Sequence, residues 1–196
     1  MLLHHCGCFK ALELRDFIYV ENHIPRELCE ETLDYIEAMN WRPHQWSSYN
    51  RDEGVNTDEG TRDDDPSVLW LSNENYNTKL RNYVHDAIKK HYGLEHDGSR
   101  LNLNALRFNR YPVGTRLKKH YDHINSLFDG KRKGIPILSI IGQLNDDYEG
   151  GELVINDEII PLKQGDICIF PSVYLYPHEI KTVTKGERIS FVAWAY

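Results

Sequence analysis

The chain has 196 residues, of which 40% are hydrophobic and 27% charged, and its formal net charge is -7. This length suits one domain, and the composition excludes a disordered chain and a small disulfide-stabilised protein. The acidic balance argues against binding to a phosphate backbone, so no nucleic-acid partner is expected. No apolar run is long enough for a signal peptide or a membrane span, and the cysteines show no framework spacing. The cytoplasm is therefore the expected compartment.

The first hundred residues are predicted to be mainly helical. A short strand-like segment at residues 17–20 precedes Pro25, a residue that favours the first turn of a helix. Apolar residues then recur at helical spacing until about Asn40. A second helix is predicted at residues 78–92, where Gly93 is suited to end it.

The segment between these helices, residues 42–66, is polar, acidic and rich in turn formers. It predicts a long loop. Such a loop is either a flap over a substrate site or a disordered insertion, and the residues favour neither alternative.

After residue 100 the pattern changes to short apolar and β-branched runs separated by turn formers. The predicted strands lie at residues 104–111, 137–144, 152–155, 159–160, 167–170, 178–183 and 188–196. Helices followed by strands predict an α+β fold with a mainly β core, a jelly roll with the N-terminal helices packed outside. Residues 1–196 are thus predicted to form one domain, with 1–100 as helical support and 101–196 as the β core.

The β half contains a candidate set of metal ligands. His120 and Asp122 are two residues apart, so a strand would place both side chains on one face. His178 begins a later predicted strand, which closure of a β-barrel could bring alongside. Two histidines and one carboxylate leave coordination positions open, the arrangement that suits non-haem Fe(II) oxygen chemistry. Arg188, with Ser190 on the same face of the last strand, is suited to bind a carboxylate.

Several motifs resemble those of the prolyl-4-hydroxylase-like Fe(II)/2-oxoglutarate-dependent dioxygenases, in that family's order and spacing. They are RYPVG (110–114) ahead of HYDH (120–123), LNDDYEGGEL (144–153), GD (165–166) ahead of FPS (170–172), and HEIKTVTKGERIS (178–190). The resemblance implies a double-stranded β-helix with iron held by His120, Asp122 and His178. It also implies 2-oxoglutarate and dioxygen as co-substrates, with ascorbate as the reductant.

Four residues are expected near the co-substrate because of this resemblance. Arg188 would hold the far carboxylate of 2-oxoglutarate, and Ser190 is either a second contact or a plain strand residue. Tyr111 matches a tyrosine that reaches toward the co-substrate in the family, although a buried core tyrosine is the alternative. Gln143 stands where some relatives carry a tyrosine, and its amide could donate to the same carboxylate.

The substrate is the least determined part of this interpretation. Arg107 and Asn109 share the face of Tyr111, so they either give the substrate pocket polar character or occupy ordinary surface positions. A protein or peptide side chain is the expected substrate, with proline favoured by resemblance alone. A free amino acid, a small metabolite, and a non-catalytic jelly-roll binding module remain the alternatives. A cupin-like enzyme with another metal would not need Arg188.

Overall fold

The structure, a computed structural model, describes residues 11–50, 55–71, 74–93, 101–122 and 136–196. Among them are a 3-10 turn at Leu14–Phe17 and two helices, α1 (Arg26–Glu37) and α2 (Glu74–Tyr92). The strands are β1 (Tyr19–Asn22), β2 (Arg42–Pro43), β3 (Trp46–Asn50), β4 (Val55–Gly60), β5 (Ser67–Trp70), β6 (Arg107–Tyr111), β7 (Leu117–His120), β8 (Leu138–Gln143), β9 (Glu149–Gly150), β10 (Leu153–Ile155), β11 (Glu158–Ile160), β12 (Asp166–Pro171), β13 (His178–Ile180), β14 (Val183–Lys185) and β15 (Arg188–Ala195). No helix in the described ranges is both long and apolar enough to cross a membrane.

Most of these strands form two antiparallel sheets. The larger sheet has seven strands in the order β1-β12-β8-β15-β6-β5-β2, and the smaller has four in the order β11-β10-β13-β7. Two short pairs, β14 with β9 and β3 with β4, lie outside these sheets. This architecture confirms the predicted α+β class with a mainly β, jelly-roll core and helices outside it.

Two hydrophobic clusters cover the two faces of the large sheet. The first joins Ile36 of α1 and Leu80 of α2 to Ile140 of β8. The second joins Ile141, the next residue of β8, to Leu153 of the small sheet. Strand β8 is therefore buried on both faces, which explains why it appears in the sequence as a nearly continuous apolar run. The small sheet thus packs on the face of the large sheet opposite the helices.

The N-terminal region differs from its prediction in two respects. Residues 42–66 are not simply a loop, because β3 and β4 pair in antiparallel register from Trp46 opposite Gly60 to Asn50 opposite Val55. Residues 1–100 are also more than helical support, since β1, β2 and β5 join the large sheet. Strand β1 overlaps the strand-like segment predicted at residues 17–20, but the remaining N-terminal strands are short, and the polar ones among them offer no apolar alternation to detect.

Gly142 of β8 lies where the core has no room for a side chain. A Cβ there would lie 2.1 Å from Cζ of Phe191, a fully buried ring. We expect Gly142→Ala to displace this ring and lower the free energy of unfolding by about 1–3 kcal/mol, the usual cost of overpacking. Urea unfolding measures the change, with Ile159→Ala on the exposed side of β11 as a control that shifts it by less than about 0.5 kcal/mol. Equal midpoints for Gly142→Ala and the wild type would contradict this account.

Candidate metal and co-substrate site

The three predicted metal ligands come together on the small sheet. His120 ends β7, and its partner in the antiparallel register is His178, the first residue of β13. Asp122 follows β7 by two residues, and its two carboxylate oxygens lie 3.7 Å from His120 Nε2 and 3.5 Å from His178 Nε2. The three possible ligand atoms, one from each residue, all lie within 4.8 Å of one another. The arrangement is therefore compact enough for a single metal ion.

Hydrogen bonds orient all three side chains. Nδ1 of His120 lies 2.7 Å from the Lys118 carbonyl, and Nδ1 of His178 lies 3.1 Å from the Tyr176 carbonyl. A carbonyl can only accept, so Nδ1 is the donor in each ring and Nε2 is the nitrogen left to face a metal ion. The carboxylate is held from its other side, by side chains of the large sheet.

Two residues of the large sheet hold Asp122. Ser139 Oγ donates to Asp122 Oδ2 at 2.7 Å, and the Trp194 side chain donates to the same carboxylate. Trp194 lies on the face of β15 that carries Arg188 and Ser190, because residues two apart on a strand share a face. Neither donor was predicted from the sequence, although the alternation along the last strand is a signal that points to Trp194.

The ionisation of the site favours a cation. Burial, and then the neighbouring His178, lowers the pKa of His120 to about 4. Burial alone would raise the pKa of Asp122, but His178, His120 and the two hydrogen-bond donors outweigh it and lower that pKa. The site at neutral pH therefore offers a neutral His120 imidazole and an ionised carboxylate, the protonation states that metal ligation requires.

Arg188 lies in the same cavity with most of its hydrogen-bonding capacity unused. It is only 1% exposed, and its Nη1 donates to Ser190 Oγ at 2.8 Å. Its Nε and Nη2 have no partner among the described residues. The guanidinium lies over the ring of Tyr111, and a Cβ at Gly151 would come within 3.1 Å of Arg188 Cδ. A buried cation with two free donors is suited to bind a carboxylate.

Most of the residues predicted to form the site line one cavity between the two sheets. They are Arg107, Asn109, Tyr111, His120, Asp122, His178, Arg188 and Ser190. Gln143 is the exception, because its amide nitrogen donates to the backbone carbonyls of Asn145 and Ile189 at 2.9 and 3.2 Å. The expectation that this amide donates to a bound carboxylate is therefore wrong. One of these carbonyls, that of Asn145, lies just beyond the end of β8, and the other lies on β15.

His44 gives the metal-free protein a predicted sensitivity to acid. Burial, and then the charge of Arg107, lowers the pKa of His44 to about 4. The unfolded chain then takes up this proton at higher pH than the folded chain, so stability is full above about pH 6.5 and falls as the pH drops toward 4. We expect His44→Gln to reduce this loss by up to about 3 kcal/mol. Urea unfolding of both metal-free proteins at pH 7 and pH 4.5 measures this loss. An equal decrease in the free energy of unfolding between the two pH values in both proteins would contradict the prediction.

Comparison with known proteins finds relatives of the chain. Residues 106–196 match the 2OG-Fe(II) oxygenase superfamily. A PKHD-type hydroxylase of Idiomarina loihiensis is 41% identical over 93 residues, which cover 45% of this chain and 40% of that protein. A PKHD-type hydroxylase of Aliarcobacter butzleri is 27% identical over 197 residues, 88% of this chain and 76% of that protein. The chain thus spans about two fifths of the length of the first curated relatives it matches.

Solved structures extend the similarity to nearly the whole fold. The viral collagen prolyl hydroxylase of Paramecium Bursaria Chlorella virus-1 gives a TM-score of 0.64 at 15% identity, over 91% of this chain and 94% of that chain. A Trichoplax adhaerens prolyl hydroxylase, solved with a hypoxia inducible factor peptide fragment, gives 0.65 at 14% identity, over 92% and 84%. These similarities confirm the double-stranded β-helix. Residues 106–196 are thus similar to the 2OG-Fe(II) oxygenase superfamily, and the relatives they match are PKHD-type hydroxylases.

Proposed function

We propose that the chain is an Fe(II)- and 2-oxoglutarate-dependent dioxygenase that hydroxylates a protein or peptide side chain. The observation that carries this proposal is one cavity lined both by His120, Asp122 and His178 and by the buried guanidinium of Arg188. A metal and a 2-oxo acid that bind together require a ligand set and a carboxylate-binding group at close quarters. The similarity of residues 106–196 to the 2OG-Fe(II) oxygenase superfamily supports Fe(II), 2-oxoglutarate and dioxygen as its cofactor and co-substrates.

The donor set fits the metal. The Nε2 atoms of His120 and His178 and the carboxylate of Asp122 would hold Fe(II), and this 2-His-1-carboxylate set leaves positions open on the cavity side. When bound, Fe(II) and 2-oxoglutarate supply the oxidation, in which dioxygen is reduced, 2-oxoglutarate becomes succinate and carbon dioxide, and a substrate C–H bond becomes C–OH. Ascorbate is the proposed reductant that keeps the iron in its ferrous state.

The chain itself binds and orients the co-substrate and excludes water from the cavity. Arg188 would hold the far carboxylate of 2-oxoglutarate through Nε and Nη2, while Ser190 fixes the guanidinium through Nη1. Burial raises the pKa of Tyr111, so its phenol stays protonated and can donate to the same co-substrate. Apolar side chains such as Ile141 and Ile180 line the cavity and limit the access of water.

Proline is the leading candidate for the hydroxylated residue. The support comes from relatives that are named PKHD-type hydroxylases and from similar structures named prolyl hydroxylases, one of them with a bound peptide. A free amino acid or small metabolite is the second candidate, because a narrow cavity between two sheets also suits a small molecule.

Two broader proposals concern the chain as a whole. We propose that residues 1–196 act as one domain, because the N-terminal strands share the large sheet with the C-terminal ones. We also propose that the protein works in the cytoplasm. Two buried thiols that are not in disulfides, Cys29 and Cys168, are consistent with a reducing compartment.

Succinate formation from 2-oxoglutarate tests the proposed activity. Purified protein with Fe(II) and ascorbate in air is expected to form succinate, and omission of Fe(II) is expected to stop it. Binding of 2-oxoglutarate without oxygen is measured by calorimetry in parallel. This measurement identifies an enzyme that forms succinate only when its main substrate is present. Absence of both turnover and Fe(II)-dependent 2-oxoglutarate binding would favour the non-catalytic jelly-roll module. Activity that requires a metal other than Fe(II) would favour a cupin-like enzyme.

A further inference from the structure

Arg107 lies in the same cavity as the metal ligands but has no part in the chemistry proposed above. It shares one face of β6 with Asn109 and Tyr111, and it is four residues from Tyr111, which lies opposite Arg188. The backbone spacing puts Arg107 and the Tyr111–Arg188 pair at opposite ends of this face of β6. A carboxylate held by Arg188 would therefore leave the guanidinium of Arg107 for a second group.

Trp194 contacts both Arg107 and one of the proposed metal ligands. The Arg107 guanidinium lies 5.1 Å from the centre of the Trp194 ring, and the Trp194 side chain donates to Asp122. One aromatic ring thus links the guanidinium to a proposed iron ligand. Stacking on a ring fixes the plane of the guanidinium and leaves its edge, with its N–H groups, free to bind.

The polar groups around Arg107 lack partners. Its Nε is buried without a hydrogen bond, and no ion pair joins Arg107 to any carboxylate in the part of the chain that the structure describes. Asn109 is 1% exposed, and both its amide oxygen and its amide nitrogen are likewise unsatisfied. Buried polar groups without hydrogen-bond partners are costly. Arg107 and Asn109 are therefore suited to form hydrogen bonds with a bound molecule.

A cleft leads from the surface to the same guanidinium. Arg107 lines both the metal cavity and an outer cleft of about 490 Å³. Arg42 and His44 also line this cleft, and its described lining contains no carboxylate. A negatively charged group would therefore meet only neutral or positive side chains between the surface and Arg107.

We propose that Arg107, stacked on Trp194, binds a carboxylate of the molecule to be oxidised, and that Asn109 forms hydrogen bonds with the same molecule. This inference rests on the proposed function and specifies its substrate as an acidic one. The carboxylate is either the terminal group of a small molecule or chain end, or an acidic side chain next to the oxidised residue. Arg188 and Arg107 then divide the cavity between the co-substrate and the substrate.

Two matched pairs of ligands test the inference. The protein is loaded with Fe(II) and 2-oxoglutarate without oxygen, and its visible charge-transfer band is titrated with each ligand. N-acetyl-L-proline and N-acetyl-L-prolinamide differ in a terminal carboxylate. N-acetyl-Pro-Glu-amide and N-acetyl-Pro-Gln-amide differ in a side-chain carboxylate. The variants are Arg107→Gln, Arg107→Lys and, as the matched control, Arg110→Gln, since Arg110 is on the opposite face of β6 and pairs with Glu187 at 3.0 Å.

At least one charged ligand is expected to bind the wild type about 10-fold or more tightly than its neutral partner, as one charge-assisted contact predicts. Arg107→Gln is expected to bring that ratio close to one, Arg107→Lys to retain part of it, and Arg110→Gln to retain all of it. Equal affinities within both pairs for the wild type, or a ratio that survives in Arg107→Gln, would overturn the inference. A wild type that forms no Fe(II)–2-oxoglutarate band would instead overturn the proposed function. If Arg107→Gln alone forms no band, the ratio in Arg107→Lys decides. A partly reduced ratio there would support the inference, and a full wild-type ratio would show that the guanidinium stacked on Trp194 is not the group that binds the carboxylate.

Discussion

Arg188→Met is expected to raise the dissociation constant of 2-oxoglutarate by about 100-fold or more. The guanidinium offers Nε and Nη2 in a site shielded from water. Two charge-assisted hydrogen bonds of about 1.5–3 kcal/mol each correspond to at least this factor. Methionine keeps an unbranched side chain of similar reach, so it fills the space over Tyr111 without the charge. Calorimetric titration of Mn(II)-loaded protein with 2-oxoglutarate measures the effect without turnover.

Arg110→Met provides the matched control for this measurement. Arg110 is a strand residue of the same type, but it pairs with Glu187 and stacks on Trp41. Its loss is expected to leave 2-oxoglutarate affinity near the wild-type value. If Arg188→Met bound 2-oxoglutarate within about threefold of the wild type, Arg188 would have no role in co-substrate binding, and the observation that carries the proposed function would fail.

His178→Ala is expected to abolish tight binding of Mn(II), used here as a stable substitute for Fe(II). Removal of residues that only orient metal ligands typically costs about 10- to 100-fold in affinity, and removal of a ligand itself should cost more. A metal at 100 times its dissociation constant stabilises the folded state by about 2.7 kcal/mol. The Mn(II)-dependent rise in unfolding temperature is therefore expected in the wild type and absent in the variant.

His23→Ala controls for the loss of a histidine elsewhere in the chain. His23 lies 3.5 Å from Glu21, away from the cavity residues. Its variant is expected to keep the full Mn(II)-dependent rise in unfolding temperature. An equal rise in His178→Ala and the wild type would show that the metal binds without this imidazole, and His120 and Asp122 would then need another partner.

The grouping of the proposed metal ligands was predictable because two of them are neighbours in the sequence. His120 and Asp122 are close along the chain, and the spacing of the later motifs indicated His178 and Arg188. The pairing of β7 with β13 was not encoded in any local pattern, since cross-strand register between distant segments depends on the whole sheet. Even the strand argument held only in part, because β7 ends at His120 and Asp122 lies beyond it.

Other features were missed for different physical reasons. The donors to Asp122 come from the large sheet, so their roles depend on how two sheets pack together. Gln143 was assigned by analogy of position, whereas its amide donates to one carbonyl just after β8 and to one on β15. The pairing of β3 with β4 was overlooked because polar segments can be held by backbone hydrogen bonds alone.

The backbone pairing that sets His120 opposite His178 lets the loops of the protein change in evolution independently of these two histidines. The separation of these imidazoles is fixed by a ladder of hydrogen bonds between β7 and β13, and the connecting segments do not set it. Loops elsewhere can then lengthen, shorten or change sequence without pulling these two imidazoles apart. A lineage built on this scaffold can keep this pair of histidines in place while it acquires new targets by loop exchange.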